Sequence, residues 1–430
     1  MSDAKNIQSV KGTRDFYPDD MRLRNWIADT WREVSLRNGF EEYDAPIFEY
    51  LDLFTIKSGD EIAAQLFSFT DRGGRSLAIR PEITPSLARM VNARINALPR
   101  PIKWFSVPRL CRAENPQRGR LREFFQWNVD VIGSDDVLAD AECIYTAVDF
   151  LRQVGLTPDD VVVRIGSRPL VVHKLRQLGV AEAAMDQALV ALDRRPKISA
   201  EAFAEQCAKA GLSDEQVGAI CEFLDVPETD SLQQVAAVEG MDGDRNAILQ
   251  LRTHLEAMGV WPYCRFDWHI VRGLAYYTGI VYEVFDAAGS LRAVAGGGRY
   301  DNLVEVLGGP KIGATGFGMG DVVLAILLKD KDKLPHTAGR LDYFVIDDRE
   351  CPLSLVLQVV SEIRKRGGQA DFSYKRQNTG KQLKEANRRG AAAAVIVRGA
   401  GKPIGIKNLA NGNQTDQPLE DFLSLLDKTR

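Results

Sequence analysis

Two neighbouring segments combine residue types that suit binding of an anionic small molecule. Residues 272–279 read Arg-Gly-Leu-Ala-Tyr-Tyr-Thr-Gly, and residues 296–301 read Gly-Gly-Gly-Arg-Tyr-Asp. Arg272 would supply a permanent charge whose planar fork matches carboxylate or phosphate. The glycines would let a ligand approach the backbone closely. Neither segment offers an obvious nucleophile, so the pattern indicates chemistry by positioning and charge neutralisation. The structural alternative is a glycine-rich strand pair with tyrosines in its core.

An arginine-rich loop forms a second candidate site. Residues 109–122 contain five arginines together with Pro116 and Gly119. Arginine pairs bidentately with phosphate groups, both in a triphosphate and in an RNA backbone. Phe124 follows directly and could stack on a purine. The loop therefore predicts a nucleotide or RNA contact.

The strand predicted after this loop has one polar face. Because side chains alternate along a strand, Gln126, Asn128 and Asp130 point to the same side. Buried carboxylates need cations or donors, so Asp130 and the nearby Glu82 indicate a small ligand with an ammonium group and ring N–H groups. Two structural alternatives stay open: Glu82 could cap the helix predicted to start near Thr84, and Asp130 could pair with an arginine.

The composition is that of an ordinary globular protein, and its charge is unevenly distributed along the chain. The chain has 430 residues, 45% hydrophobic and 27% charged, with a net charge of −4. Residues 364–407 nevertheless carry twelve Lys and Arg against Asp371 and Glu385, a net of +10. Such segregation is expected of a polyanion site on an acidic enzyme, although a solvated helix face would also produce it. The six cysteines are scattered, which favours reduced thiols in the cytoplasm. No signal, transit or membrane-spanning segment is expected.

Hydrophobic periodicity predicts a mixed first region. Helices are expected at 21–38 and 84–95, and extended or strand segments at 40–53, 65–69, 76–79, 104–109, 125–131 and 280–285. Pro46 argues for an edge or interface position for the first of these segments. Residues 168–247 are predicted to be a helical insertion, interrupted by Pro196, Pro227 and Gly240.

The C-terminal part has an alternating pattern. Strands are expected at 342–346, 369–373 and 393–397, with helices at 353–365 and 380–389. This βαβαβ order predicts a small α/β domain with a mainly parallel sheet. The charged, proline-terminated stretch around residues 329–335 predicts a linker before it.

These motifs closely resemble those of the histidyl-tRNA synthetase family, a class II aminoacyl-tRNA synthetase family, over essentially the whole chain. Residues 10–15 resemble the N-terminal signature, residues 43–49 class motif 1, and residues 112–130 motif 2 with its loop. Residues 272–277 and 296–301 resemble the two segments specific to the histidine enzyme. The last two are highly specific, whereas motif 1 alone would be weak.

The resemblance implies a role for each matching residue. Arg112 and Arg272 would grip the α-phosphate of ATP and the attacking carboxylate of histidine. The residues expected to hold histidine are Glu82, Thr84, Gln126, Asp130, Tyr276, Tyr277 and Tyr300. Those expected on ATP are Arg112, Glu114, Arg120, Phe124 and Arg272. Those expected on tRNA are Gln117 and Arg118 for the acceptor end and Lys381, Lys384 and Arg388 for the anticodon region. No protein side chain is expected to ligate a metal.

The resemblance also implies an α+β fold with a defined domain order. A class II catalytic domain, an antiparallel sheet with flanking helices, is expected at 1–328, with the helical insertion at about 168–247. A linker at 329–340 and an anticodon-binding α/β domain at 341–430 follow. The implied function is a cytoplasmic, homodimeric histidine–tRNA ligase without membrane contact. Its substrates would be L-histidine, ATP with Mg²⁺, and histidine tRNA.

The chain departs from the family pattern at two positions. Ala275 stands where most relatives have aspartate, and Val323 stands where motif 3 has an arginine that contacts ATP. A divergent branch of the family shares both changes. Arg118 and Arg120 are candidates to replace the missing arginine. The alternative is a non-catalytic paralogue that regulates ATP phosphoribosyltransferase. That paralogue lacks the C-terminal α/β domain, so the +10 stretch favours the ligase.

Overall fold

The chain forms two compact units, Met1–Leu334 and Pro335–Arg430. A computed structural model describes residues 7–55, 65–195, 198–226, 228–272, 276–335, 341–347 and 351–428. Gly273, Leu274 and Ala275 lie outside the described residues, as do Pro196, Pro227 and residues 336–340 of the predicted linker.

A central sheet organises the first unit. Within the described residues it has nine strands, in spatial order β1-β5-β7-β12-β11-β10-β8-β9, with β6 paired to β7. The expected antiparallel sheet is confirmed, apart from the parallel pairs β1–β5 and β8–β9 towards its edges. The strands are β1 (Glu41–Glu42), β5 (Ile102–Ser106), β6 (Arg109–Cys111), β7 (Glu123–Ile132), β8 (Val161–Ser167), β9 (Cys264–Phe266), β10 (Ile280–Asp286), β11 (Ala295–Arg299) and β12 (Ala314–Gly320).

Helices cover one face of this sheet. Helix α1 (Pro18–Arg37) and helix α4 (Leu138–Gln153) bring Trp31 and Phe150 against Trp127 of β7, whose ring centroid lies 6.0 Å from that of Trp31 and 5.6 Å from that of Phe150. All three side chains are fully buried. Alternation along β7 therefore commits its apolar side chains to the core and turns its polar ones to the opposite face.

Short helices and a long helical run complete the first unit. The short helices are α2 (Leu51–Thr55), α3 (Thr84–Ala93) and α11 (Leu303–Val306), and α12 (Asp321–Asp330) follows β12. The helical run between β8 and β9 comprises α5 (Arg168–Gln177), α6 (Glu182–Arg194), α7 (Ala200–Lys209), α8 (Asp214–Leu224), α9 (Glu228–Ala236) and α10 (Asp242–Ala257). The strands of the central sheet therefore come from both sides of this run in the sequence.

Two predicted segments are divided in the structure. Residues 40–53 were expected to be extended, yet helix α2 begins at Leu51 after β1 and a short strand β2 (Phe48–Tyr50). Residues 104–109 were expected to be one strand. β5 and β6 are instead separated at Val107 and Pro108, because proline has no N–H for a sheet hydrogen bond. A small antiparallel sheet has the order β2-β4-β3, with β3 at Phe67–Thr70 and β4 at Ser76–Ile79.

The second unit has five described strands in the order β14-β13-β15-β16-β17. They are β13 (Leu341–Asp347), β14 (Ala370–Phe372), β15 (Ala391–Val397), β16 (Ile404–Asn408) and β17 (Gln414–Gln417), with helices α13 (Leu353–Lys365), α14 (Thr379–Arg388) and α15 (Leu419–Lys428). The first three strands are parallel, as predicted. β16 and β17 add two antiparallel pairs, so the prediction of a mainly parallel sheet is wrong. The turn at Asn411 and Gly412, where Gly412 has φ +77°, marks this extra hairpin.

Candidate active site

A cavity of about 780 Å³ lies on the face of the central sheet that helices α1 and α4 leave uncovered. Gln126, Asn128 and Asp130 of β7 all line it, as their alternation predicted. Glycines on the neighbouring strands make room for them. A Cβ at Gly318 would lie 2.7 Å from the Gln126 amide, and one at Gly316 would collide with the Asp130 carboxylate. The glycines in this sheet thus provide space for polar side chains as well as for a ligand.

Two buried carboxylates face the cavity, and each has one oxygen without a hydrogen-bond partner among the described residues. Asp130 accepts a hydrogen bond from the Tyr300 hydroxyl at 2.5 Å, and Glu82 accepts one from Tyr276 at 3.1 Å. The second oxygen of each, Oδ2 of Asp130 and Oε1 of Glu82, is buried without a hydrogen-bond partner among the described residues. Burying an acceptor without a partner is costly. The pair therefore points to a ligand that brings its own donors.

Burial also changes how these carboxylates titrate. It raises the pKa of Asp130 to about 7, against the opposing effect of the Tyr300 hydrogen bond. It raises the pKa of Glu82 as well, while the nearby Arg112 charge acts in the opposite direction. Both structural alternatives for these residues are wrong. Helix α3 has Ile83 at its N-cap with no side-chain cap, and Asp130 bonds to a tyrosine instead of an arginine.

The three tyrosines close one side of the cavity. The ring of Tyr276 lies 4.9 Å from that of Tyr277 and 6.1 Å from that of Tyr300, centroid to centroid. Because Tyr276 bonds to Glu82 and Tyr300 to Asp130, the aromatic cluster fixes the separation of the two carboxylates. A flat ring with polar edges would fit between them.

Two arginines supply fixed positive charge beside the carboxylates. Arg112 donates from Nε to the Pro81 carbonyl at 3.0 Å, and its guanidinium lies 5.1 Å from the Phe124 ring centroid. Arg272 forms an ion pair with Glu283 of β10. Burial alone would lower the pKa of Arg272, but Tyr277 and Glu283 raise it above its ordinary value. The Arg272 guanidinium is therefore cationic at physiological pH.

Arg272 has an unusual backbone. Its φ of +57° lies in the left-handed region, which a non-glycine residue adopts at some energetic cost. A Cβ at Gly296 of β11 would collide with its guanidinium. The bare backbone at Gly296 and the strained backbone at Arg272 together place this charge in the cavity.

The arginine-rich loop contributes a third group of residues. Glu114 pairs with Arg120, whose Nη2 lies 2.6 Å from Oε1, and both line the cavity with Phe124. Thr84, at the start of helix α3, also lines it. The predicted histidine and ATP residues therefore all border one cavity.

The remaining predicted residues lie elsewhere. Arg118 and Gln117 lie at the tip of the loop outside the lining of the cavity, with Arg118 exposed and 3.4 Å from Asp330. Lys381, Lys384 and Arg388 share an exposed face of helix α14 in the second unit.

Sequence reasoning missed several residues of the site. Glu283 is the only charged residue within the otherwise apolar stretch 280–285, and that contrast could have identified it. The N-terminal segment at residues 10–15 contacts the arginine-rich loop and the start of helix α12. Arg122 donates its backbone N–H to the Gly12 carbonyl at 2.8 Å, and Arg14 pairs with the buried Asp321 at 2.7 Å.

The position at which the family resemblance led us to expect a motif 3 arginine is apolar. Val323 is buried, lines the cavity, and lies against the loop tip, since a Cβ at Gly119 would be 3.2 Å from it. Within the described residues, no group of three His, Cys, Asp or Glu side chains is arranged to hold a metal ion. In the same part of the chain, no helix has both the length and the apolarity to span a membrane.

Comparison with known proteins identifies the relatives of this chain. The family model described as "Histidyl-tRNA synthetase" matches residues 12–320. The chain is 40% identical over 432 residues to a histidine–tRNA ligase of Opitutus terrae, covering 98% of both sequences. It is 38% identical to a chloroplastic/mitochondrial histidine–tRNA ligase of Arabidopsis thaliana, covering 97% of this chain and 86% of that one. Among solved structures, a histidyl-tRNA synthetase from Nostoc sp. PCC 7120 superposes with a TM-score of 0.80 at 23% identity, covering 99% of this chain and 100% of that one.

Proposed function

The chain belongs to the histidyl-tRNA synthetase family and acts as a histidine–tRNA ligase, and we propose that the cavity on the central sheet is where it activates histidine. In this proposal L-histidine and MgATP bind there together and form histidyl-adenylate. The 3′ end of histidine tRNA then enters and accepts the histidyl group. The observation that carries the assignment is the pair of buried carboxylate oxygens without partners, on Glu82 and Asp130.

Histidine has the donors that these two oxygens lack. Its ammonium group would bond to Glu82, with Thr84 and Gln126 alongside, and an imidazole N–H would bond to Asp130. The imidazole would lie among Tyr276, Tyr277 and Tyr300. A site built to bond an N–H group strongly rejects ligands that lack it, because its buried acceptors would stay unpaired. The arrangement therefore favours histidine over apolar amino acids of similar size.

The adenylation step needs charge and position more than a protein nucleophile. A histidine carboxylate oxygen attacks the α-phosphorus, the bond to the oxygen bridging the β-phosphate breaks, and pyrophosphate leaves. Negative charge spreads over the α-phosphate in the transition state. Arg112 and Arg272 would stabilise it, since preorganised cations in a buried site are more effective than cations in water. Glu283 would hold Arg272 in place.

The ATP base and its metal complete the first step. The adenine would stack on Phe124 with Glu114 at its edge, and Arg120 would reach the phosphates. Mg²⁺ is usually bound by substrate phosphates with one or two carboxylates, and the described residues offer no cluster of three such side chains. We therefore treat Mg²⁺ as part of the MgATP substrate, where it would offset phosphate charge.

The second step brings in tRNA. A hydroxyl of the terminal ribose attacks the histidyl carbonyl carbon, loses its proton, and displaces AMP. Gln117 and Arg118, exposed at the tip of the loop beside the cavity, would contact the acceptor end. The divergence at Val323 would assign the chain to a branch of the family that lacks the motif 3 arginine.

Replacing Asp130 by asparagine tests the histidine subsite through pH. Because the folded protein holds an extra proton on this residue up to about pH 7, ionisation costs stability as pH rises from the unfolded value towards 7. Asp130→Asn should therefore stabilise the ligand-free protein, and this gain should grow by about 2 kcal/mol from pH 5.5 to pH 8. The same variant should lose most of the thermal stabilisation that L-histidine gives the wild type. Thermal unfolding with and without L-histidine at both pH values measures both effects. A gain that does not change with pH would contradict the raised pKa of Asp130, and undiminished stabilisation of the variant by L-histidine would contradict its place in the histidine subsite.

The second unit is proposed as the anticodon-binding domain. Its helix α14 exposes Lys381, Lys384 and Arg388 on one face within the +10 stretch. Cations on one face suit contacts to an RNA backbone. The division of the chain into a catalytic domain, a linker and this domain is part of the same proposal.

Alanine at Lys381 and Lys384 together should weaken tRNA affinity about tenfold and lower the salt dependence by about two charges, since each phosphate contact releases counterions. Adenylate formation should not change. Lys365→Ala is the matched control, because Lys365 is exposed in the same unit but pairs with Glu362 at 2.7 Å. Filter binding at several salt concentrations measures the first effect and pyrophosphate exchange the second. If exchange fell in parallel with tRNA affinity, this assignment would be wrong.

A homodimer and a cytoplasmic location complete the proposal. Four large apolar side chains are exposed on or beside the small sheet β2-β4-β3: Ile47, Phe48, Tyr50 and Phe69. Such a patch is typical of an interface, and it overlaps the segment that resembles motif 1, so a second copy of the chain would cover it. All six cysteines are free thiols, which suits a reducing compartment.

A further inference from the structure

The loop between β10 and β11 presents an arginine to the cavity that the proposed mechanism does not use. Residues 289–294 all line the cavity, and Arg292 is their exposed cation. It donates from Nη2 to the side-chain oxygen of Gln117 at 2.8 Å. This hydrogen bond joins two loops at the mouth of the cavity, the one that carries Arg292 and the arginine-rich one.

Arg292 differs in its partner from three other arginines that line the cavity. Arg120 pairs with Glu114, Arg164 with Asp267, and Arg272 with Glu283. Each of those charges is offset by a carboxylate. The Arg292 guanidinium meets the neutral amide of Gln117 and has no carboxylate partner among the described residues. An arginine with uncompensated charge at the mouth of a cavity is suited to a polyanion.

The loop that carries Arg292 is fixed at its base. Asp286 accepts hydrogen bonds from the backbone N–H of Ser290 at 3.2 Å and from its hydroxyl at 2.6 Å. At the other end, Val294 bonds through its N–H to the Val284 carbonyl at 2.7 Å and through its carbonyl to the Gly320 N–H at 3.2 Å. The base of the loop is thus held at Gly320, just before helix α12, and Arg292 lies two residues from this attachment.

This attachment and the Gln117 hydrogen bond bring the loop of Arg292 to the part of the cavity that Val323 also lines. Gly320 precedes the turn of α12 that carries Val323, and Val323 packs against Gly119 of the arginine-rich loop. Val323, Gly119, Gln117 and Arg292 therefore form a continuous rim. Val323 brings no charge to this rim. Arg292 is a long cation whose hydrogen-bond acceptor, the Gln117 amide, is neutral.

We propose that Arg292 binds the β- and γ-phosphates of ATP and the pyrophosphate formed from them, a role that rests on the proposed function of the cavity. Arg112 and Arg272 lie beside the buried carboxylates, where the α-phosphate must meet the histidine carboxylate. The outer phosphates extend towards the mouth, where pyrophosphate leaves. On binding, the guanidinium exchanges the Gln117 amide for phosphate oxygens, a stronger charge-assisted hydrogen bond. Arg120, which is paired with Glu114, would add to this contact, whereas Arg118 lies outside the cavity lining.

The test compares nucleotides that differ only in their outer phosphates. Arg292→Gln should weaken ATP and inorganic pyrophosphate binding about 10- to 100-fold, as expected for a charged hydrogen-bonding partner, and leave AMP affinity within about twofold. Arg292→Lys should recover part of the loss. The control is Arg252→Gln, since Arg252 is exposed on helix α10 and pairs with Glu256. Calorimetric titration of each variant with ATP, pyrophosphate and AMP gives the affinities.

The possible outcomes are distinct. Equal weakening of ATP and AMP, or no weakening of ATP, would overturn the role of Arg292 while leaving the cavity as the nucleotide site. If the wild type bound neither ATP nor AMP, the proposed function of the cavity would fail instead. Steady-state exchange gives a second check, because the KM for ATP should rise while the KM for histidine stays constant.

Discussion

Arg272→Ala is expected to reduce histidine-dependent exchange of labelled pyrophosphate into ATP by about 10²- to 10³-fold. The loss follows from removing one preorganised cation from a buried transition state, which costs about 3–4 kcal/mol. Arg272 is half-buried beside Tyr277 and held by Glu283, so water cannot supply an equivalent charge fixed in the same position. Initial rates of exchange at saturating ATP and histidine measure the effect.

Two further variants separate chemistry from folding. Arg272→Lys keeps the charge but loses the planar fork, so it should recover only part of the rate. Arg265→Ala serves as the control, because Arg265 is exposed on β9 and bonds to backbone carbonyls. Thermal unfolding should show that Arg272→Lys is folded at the assay temperature. Near-normal exchange in both Arg272 variants would remove this residue from the adenylation step.

Glu82→Gln should raise the KM for histidine about 100-fold and leave the KM for ATP nearly unchanged. Glutamine keeps the shape of the side chain and an acceptor for Tyr276, but it removes the charge that would meet the histidine ammonium group. Losing a buried charge-assisted bond of this kind costs about 1.5–3 kcal/mol. The KM values for both substrates, measured in the same exchange assay, separate the two subsites.

Glu114→Gln is the matched comparison for this prediction. Glu114 borders the same cavity but pairs with Arg120 on the side assigned to ATP. Its variant should therefore raise the KM for ATP and spare the KM for histidine. If both glutamine variants affected histidine equally, the division of the cavity into two subsites would be wrong.

Local patterns predicted the polar floor of the cavity because strand geometry has a period of two. Once residues 125–131 were expected to be a strand, Gln126, Asn128 and Asp130 had to share a face. The core residue Trp127 confirms the alternation from the other side. The space beside these side chains could not be predicted from the sequence, because only the pairing of β12 with β7 places Gly316 opposite Asp130.

Contacts between distant parts of the chain could not be predicted in this way. Arg14 and Asp321 are 307 positions apart, and only the folded sheet brings them together. The same is true of Arg292 and Gln117, 175 positions apart. Glu283 was missed although it is the only charged residue in the apolar stretch 280–285, and its pairing with Arg272 depends on the sheet register and on the backbone at that arginine.

Two errors have local causes. The hairpin β16–β17 was missed although Asn411 and Gly412 form a favourable turn, because the alternating helices and strands before it suggested a parallel sheet throughout. Glu82 was considered as a helix cap because it precedes Thr84. The chain turns so that its carboxylate enters the cavity instead.

The central claim is that this chain activates histidine in the cavity, whose lining includes the apolar Val323. The most direct test is exchange of labelled pyrophosphate into ATP by the wild type, with L-histidine present or omitted. We predict exchange that requires histidine and proceeds without tRNA. Absence of exchange in folded protein that still binds L-histidine would contradict the claim.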